Sequence, residues 1–247
     1  MPSSLFHTLN ISRQDLLSHM LDLDVTSSNL ANVNTAGYKT TRSNFQEMLN
    51  LQLKEGTQMS STQALTMQGS LRSSANSLDW AIQGDGYFSL TLPDGTIGYT
   101  RDGQFSLDAD GTLVSANGYP LVWDGDIAEG MTNITVSAAG VVSATDADGA
   151  TAEVGTIQLT RFPNPGGLTD NGNNILLASD VSGAALAGDP GSENFGTLSG
   201  YKVENSNVDL AQEFTRLIAL QRNLSITIRA FQQTDTMISQ AINLRKA

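Results

Sequence analysis

Val208-Asp209-Leu210-Ala211-Gln212-Glu213-Phe214-Thr215-Arg216-Leu217-Ile218-Ala219-Leu220-Gln221 opens a tail, residues 208–247, that contains neither glycine nor proline. Those two residues disfavour helix interiors most, so the tail is free to be helical throughout. Within it Leu210, Phe214, Leu217, Gln221, Leu224, Ile228, Phe231, Asp235, Ile238, Ile242 and Arg245 follow one another at alternating spacings of 4 and 3. This is a heptad seam with three polar interruptions. Asn207 or Asp209 is placed to cap its start, and Arg245 and Lys246 suit its end. At ~1.5 Å per residue the helix reaches up to ~60 Å. The other end of the chain repeats the pattern: Leu9, Leu16, Leu23 and Leu30 recur every seven residues, with Met20 between them. That helix is expected to stop near Asn34, with Gly37 able to take positive φ just beyond.

Between the two seams the chain changes character. Of the 23 glycines only Gly37 lies outside residues 49–207, and five of the six prolines lie inside. Charge partitions the same way: residues 1–48 carry net −1, 49–207 net −13 and 208–247 net +2, for −12 over the 247 residues. Short apolar runs alternate with turn dipeptides: Tyr87–Leu92 before Asp94-Gly95, Ile97–Thr100 before Asp102-Gly103, Gln104–Leu107 before Asp110-Gly111, Thr112–Ser115 before Asn117-Gly118, and Tyr119–Trp123 before Asp124-Gly125. Asp-Gly and Asn-Gly supply the positive φ of tight hairpins, so an antiparallel meander is expected. Ile134–Ser137, Val141–Thr145 and Thr156–Arg161 form a second set of strands.

The fold class is therefore α+β, with N- and C-terminal helices paired as a coiled-coil-like domain around a mainly antiparallel β domain. The expected partition is 1–48 for the N-terminal helical half, 49–78 for an extended connector, 79–203 for the β-rich middle and 204–247 for the C-terminal helix. A strict seam is narrower than the stripe a globular core uses. Leu9, Leu16, Met20, Leu23, Leu30, Leu210, Phe214, Leu217, Leu224, Ile228, Phe231, Ile238 and Ile242 are accordingly expected to form a subunit interface completed by neighbouring copies.

Catalytic readings fare poorly. With no cysteine there is no disulfide framework, thiolate metal site or cysteine nucleophile. Asp108-Ala109-Asp110-Gly111 and Asp146-Ala147-Asp148-Gly149 lack the closing glutamate of a calcium loop and read as hairpin turns. His7 and His19, twelve apart, do not share a metal site on one helix. Gly84-Asp85-Gly86 precedes a strand and lacks the third glycine of a dinucleotide fingerprint. No catalytic residue, cofactor or metal is expected. The acidic balance disfavours nucleic acid, and no apolar run is long enough to span a bilayer. The Met1-Pro2-Ser3-Ser4-Leu5-Phe6-His7 start lacks the features of a secretory signal.

Four ordered motifs carry a family resemblance across nearly the whole chain. Ser28-Asn29-Leu30-Ala31-Asn32-Val33-Asn34-Thr35-Ala36-Gly37-Tyr38-Lys39 resembles the N-terminal signature of bacterial flagellar rod and hook axial proteins. Asp79-Trp80-Ala81-Ile82-Gln83-Gly84-Asp85-Gly86-Tyr87-Phe88, followed by Tyr99-Thr100-Arg101-Asp102-Gly103-Gln104-Phe105, is similar to the opening of their β domain. Gly200-Tyr201-Lys202-Val203-Glu204-Asn205-Ser206-Asn207-Val208-Asp209-Leu210 resembles their junction with the last helix, and Gln221-Arg222 begins their final signature. The resemblance implies a homo-oligomer stacked helically into a hollow tube, with other flagellar rod and hook proteins and the flagellar export apparatus as partners. It also implies export without a cleaved signal peptide and a place in the periplasm-spanning rod. The rod is preferred to a compact hook protein. A secreted adhesin or carbohydrate-binding β module is the alternative from another class, and a hydrolase using middle-domain carboxylates a third.

Overall fold

The structure, a computed structural model, describes residues 2–47, 57–128, 130–146 and 148–246, with side chains at 11–44, 63–128, 130–146 and 148–240. It is α+β, with a helix at each end and antiparallel strands between them. Contacts divide it into two compact units. One comprises Met1–Asn32, Thr41–Leu65 and Val208–Ala247, and the other Val33–Thr40 and Thr66–Asn207.

The first unit holds α1 (Pro2–Ala31), α2 (Leu210–Lys246) and a hairpin of β1 (Thr41–Glu47) and β2 (Thr57–Ala64). The hairpin runs from Thr41 opposite Ala64 to Glu47 opposite Thr57, with a bulge between Asn44 and Phe45. Its strands are polar, so neither announces itself by alternation, and β2 lies in the stretch expected to be a connector. Asp209 Oδ1 accepts the N–H groups of Ala211 and Gln212, capping α2 as anticipated. α1 ends at Ala31, three residues before Asn34. Gly37 does take φ +67°, but in the second unit: a Cβ there would stand 2.5 Å from the backbone of Arg101 and Asp102. Close approach, and not a helix cap, is what requires glycine.

The second unit is a β structure of several small antiparallel sheets in place of one continuous meander. Trp80–Gln83 pairs with Thr197–Gly200, and Leu71–Ser73 with Lys202–Glu204, so the beginning and end of the unit run side by side. Ile97–Thr100 pairs with Phe88–Thr91, Phe105–Leu107 with Leu113–Ser115, and Val141–Thr145 lies between Thr132–Val136 and Thr151–Thr156. The core gathers Trp80, Ile82, Phe88, Leu90, Phe105, Leu113, Val142, Ile157 and Leu159, all nearly or fully buried. Phe105 packs edge-on to Phe88 with centroids 5.1 Å apart, and lies 5.4 Å from Trp80.

Most turn readings hold. Gly95, Gly111, Gly118 and Gly149 have positive φ, and Asp108 and Asp146 each close a hairpin turn by exchanging backbone bonds across it. Four readings need correction. Asp102-Gly103 makes no tight hairpin turn, because Gly103 does not take positive φ and Ile97–Thr100 pairs with Phe88–Thr91 and not with Phe105–Leu107. Thr156–Arg161 is not one strand but the end of Thr151–Thr156 and a separate Leu159–Arg161 that pairs with Leu186–Gly188. Tyr119–Trp123 is no strand but touches its neighbours through single bridges, Leu121 to Leu90 and Pro120 to Val114; proline lacks the N–H a ladder needs. Asp124-Gly125 is no turn but a two-residue strand against Gly155 and Thr156.

Gly103 carries a sharper constraint. Its carbonyl accepts the Trp80 N–H at 2.9 Å, and a Cβ there would fall 1.6 Å from the Trp80 carbonyl oxygen. Gly103→Ala is expected to cost the β unit about 1–3 kcal/mol or more, seen as an earlier urea midpoint followed by tryptophan fluorescence. An unchanged midpoint would show that the backbone yields freely.

Candidate assembly surface

The first unit reverses the usual arrangement. Among the described residues of α1 the buried side chains are Ser18, Asp22, Thr26 and Asn29, spaced 4, 4 and 3 and hence on one face. Each has a polar task or a polar neighbourhood. Asn29 accepts the Thr41 N–H and donates to the Thr41 carbonyl, both at 2.9 Å, and its second amide N–H donates to Glu213 Oε1 at 3.1 Å. Asp22 accepts from the Ser43 hydroxyl and from Arg216 Nη2, the latter at 2.6 Å. These contacts step backward along α1 as they step forward along α2, so the two helices run antiparallel. Thr26 Oγ1 and Glu213 Oε2 are buried without a hydrogen-bond partner among the described residues.

Many large apolar side chains point outward, although Leu220 of α2 is buried. Met20 is 53% exposed and Ile226 64%; Leu17, Leu21, Leu210, Phe214, Ile218, Ile228 and Met237 are also exposed. Of the residues expected at an interface, Met20, Leu210, Phe214 and Ile228 are exposed, whereas Leu16, Leu23, Leu30, Leu217, Leu224, Phe231 and Ile238 are half-buried. The side chains of Leu9 and Ile242 lie outside the described residues. Leu16, Leu23, Leu224 and Ile228 line a shallow apolar groove along the pair. The seam pattern missed Leu17, Leu21, Ile218, Ile226 and Met237, which sit beside it and widen the apolar surface. It also missed the polar ladder, whose only signal is the 4-4-3 spacing of Ser18, Asp22, Thr26 and Asn29.

A second polar centre lies wholly inside the β unit. The Glu204 carboxylate, fully buried, accepts from Lys39 Nζ at 2.5 Å and from the Gly69 N–H at 2.8 Å, both through Oε1. Its Oε2 lies 3.6 Å from the Arg101 guanidinium, which donates to the Gly84 carbonyl and sits over the Tyr87 ring. Burial draws the Lys39 ammonium below the ordinary lysine range, although the Glu204 charge pulls it back up. Asn207 Oδ1 accepts both the backbone N–H and the hydroxyl of Thr40, while its amide donates to the Met67 carbonyl. Among the described residues no group of three or more His, Cys, Asp or Glu is placed to hold a metal, and no helix is long and apolar enough to cross a membrane.

Comparison with known proteins agrees with this layout. Residues 21–39 match the family described as flagella basal body rod protein, 81–144 the flagellar hook protein FlgE/F/G D1 domain, and 199–244 the flagellar basal body rod FlgEFG protein C-terminal region. The chain is similar to the flagellar basal-body rod protein FlgG of Borreliella burgdorferi, 35% identical with 94% of this chain and 96% of that protein covered. It is also 35% identical to FlgG of Caulobacter vibrioides, covering 96% and 98%, and 32% identical to the rod protein FlgF of Mesorhizobium japonicum, covering 89% and 90%.

The chain belongs to the flagellar rod and hook protein family.

Within that family it is a structural subunit of the basal-body rod; the rod names of these relatives do not favour the compact-hook alternative, and the family replaces the adhesin and hydrolase readings. The rod-family match at 21–39 contains Asp22, Thr26, Asn29 and Lys39, and the C-terminal match contains Glu204, Glu213 and Arg216. Charged residues of both polar centres of this rod subunit thus lie in the matched segments.

Asn29→Ala removes three hydrogen bonds and leaves the Glu213 carboxylate buried without its amide partner. It is expected to destabilise the helix–hairpin unit by about 1–3 kcal/mol, measurable as faster hydrogen exchange in β1 and the start of α2; unchanged protection there would refute the bracing role. A second expectation concerns pH. Burial pushes the Asp102 carboxyl up to about 6, the Gln104 N–H opposing the rise and the Asp79 charge adding to it. A folded-state value above the unfolded one makes the contribution of this group complete below about pH 4 and lost as pH rises through about 6. Urea titrations at stepped pH should therefore show the β unit weakening across this window in the natural protein and less so in Asp102→Asn.

Proposed function

We propose that this rod subunit stacks helically, with further copies and with other rod and hook proteins, into a hollow tube that transmits torque and passes exported subunits. The observation that carries the reading is the surface of the helix pair: the buried residues described on α1 are all polar, while many large apolar side chains of both helices are exposed. An isolated subunit has no use for nine exposed large apolar residues on two helices. The thirteen seam residues, from Leu9 and Leu16 to Ile238 and Ile242, serve in this reading as the subunit interface. The helices pair in a coiled-coil-like manner, and neighbouring copies complete the pairing. Repeated head-to-tail contacts that do not close on themselves give an open helix.

The expected partition into 1–48, 49–78, 79–203 and 204–247 assigns assembly to the terminal helices; by the contacts of the fold the helical unit also takes in the Thr41–Glu47 and Thr57–Ala64 strands. The subunit has no catalytic role, travels through the flagellar export apparatus, and ends in the periplasm-spanning part of the rod. Burying one aliphatic side chain at each contact is worth ~1.5–3 kcal/mol, repeated at every subunit. Ile228→Asp should therefore abolish tubes in electron micrographs of concentrated protein while the β unit unfolds at its normal urea concentration. Tubes forming undiminished, or loss of the entire fold, would tell against the reading.

A further inference from the structure

The groove along the helix pair has a composition that selects its occupant. Its walls include Leu17, Met20, Leu21, Leu224 and Ile228, and among the described residues its one charged side chain is Asp24, which is exposed. Leu17, Met20, Leu21 and Asp24 share the outward face of α1, at spacings of 3, 1 and 3. An occupant must be apolar along most of its length and bring one cation.

The outward face of α2 has that character. Ile218, Arg222, Ile226 and Arg229 succeed one another at spacings of 4, 4 and 3 and are all exposed. Arg222 and Arg229 stand ~10 Å apart along the helix. Among the described residues no ion pair joins Asp24, Arg222 or Arg229. The remaining ionised arginine of this stretch, Arg216, is already engaged by Asp22.

We propose that α2 of one copy seats its Ile218–Arg229 face in the groove of the next copy, with Arg222 or Arg229 against Asp24. The inference rests on the helical-assembly reading and names the contact that propagates it. The two faces are different surfaces of one chain, so each copy offers one and accepts the other, which is the heterologous geometry that grows without closing. Apolar contact supplies the attraction and the single charge pair sets the register, since a carboxylate left in the groove without its cation is costly.

Charge exchange tests this. Asp24→Arg should raise the critical concentration for tube formation about tenfold or more, with the thermal unfolding of the dilute protein unchanged because Asp24 is exposed. Adding Arg222→Asp or Arg229→Asp to that chain should restore assembly in one of the two combinations. As the protein has no cysteine, Asp24→Cys protein mixed with Arg222→Cys or Arg229→Cys protein should also yield a covalent dimer with a short bis-maleimide, which the Asp24→Cys chain alone should not. Asp24→Arg tubes forming at the natural concentration, or failure of both exchanges to restore assembly, would overturn the contact while leaving tube assembly standing. A natural protein that forms no tubes would instead bring down the assembly reading and this contact with it.

Discussion

A single buried carboxylate organises the β unit. Glu204 draws together segments far apart in sequence: its carbonyl accepts the Gly37 N–H, its side chain takes the Lys39 ammonium and the Gly69 N–H, and its backbone pairs with Leu71. Arg101 adds its charge from the other side. A carboxylate removed from water costs several kcal/mol unless cations and hydrogen bonds replace its hydration, and here each replacement comes from a different pass of the chain. The close approaches follow from that convergence. Gly69 has no room for a side chain because Asn205 O would lie 2.0 Å from its Cβ, and Gly37 is crowded in the same way by Arg101. Small residues stand where the passes cross, and charged ones where they are bound together.

The helix–hairpin unit obeys the same logic with weaker charges. Hydrogen bonds are directional and apolar contacts are not, so a polar ladder specifies register where a greasy one would permit sliding. Asn29 is the clearest instance, because its amide is matched donor for acceptor to Thr41 and still reaches Glu213. With register fixed by polar groups, many large apolar residues of α1 and α2, such as Leu17, Met20, Phe214 and Ile226, remain available at the surface, although Leu220 is buried. The arrangement also keeps the internal attraction modest. A long helix on its own is marginal in water, and one held by a few hydrogen bonds gains most when a neighbour covers its apolar side.

The legible and illegible parts of this molecule divide along physical lines. Terminal helices were readable because the absence of glycine and proline and the 4-3 spacing from Leu210 to Arg245 are local properties. Hairpin turns at Gly95, Gly111 and Gly118 were readable for the same reason, since the positive φ is dictated by two adjacent residues. The hairpin of β1 and β2 was hidden because TRSNFQE and TQMSSTQA show no apolar alternation and owe their pairing to each other. Asp124-Gly125 carried a turn signal that tertiary packing overrode, the glycine being needed where Trp123 and Val154 press against the backbone. The polar ladder was hidden more deeply. Asn29 and Glu213 are 184 residues apart, and nothing in either neighbourhood discloses the other.

Hydrophobic periodicity therefore located the helix faces, and the narrowness of the seam pointed to neighbouring copies, but it gave no sign of the polar ladder within. A seam of leucines is normally assigned to the interior, and in a closed globular protein that assignment serves well. Here Met20, Phe214 and Ile228 are on the outside and Asp22 and Asn29 within; in the proposed assembly, neighbouring copies supply the interior that covers the first set. For a subunit of an open assembly, the apolar stripe reports where the next molecule goes, and the polar stripe reports how the subunit holds itself until that molecule arrives. Reading both stripes together, and asking which of them finds its partners within one chain, separates self-contained packing from packing that only repetition can complete.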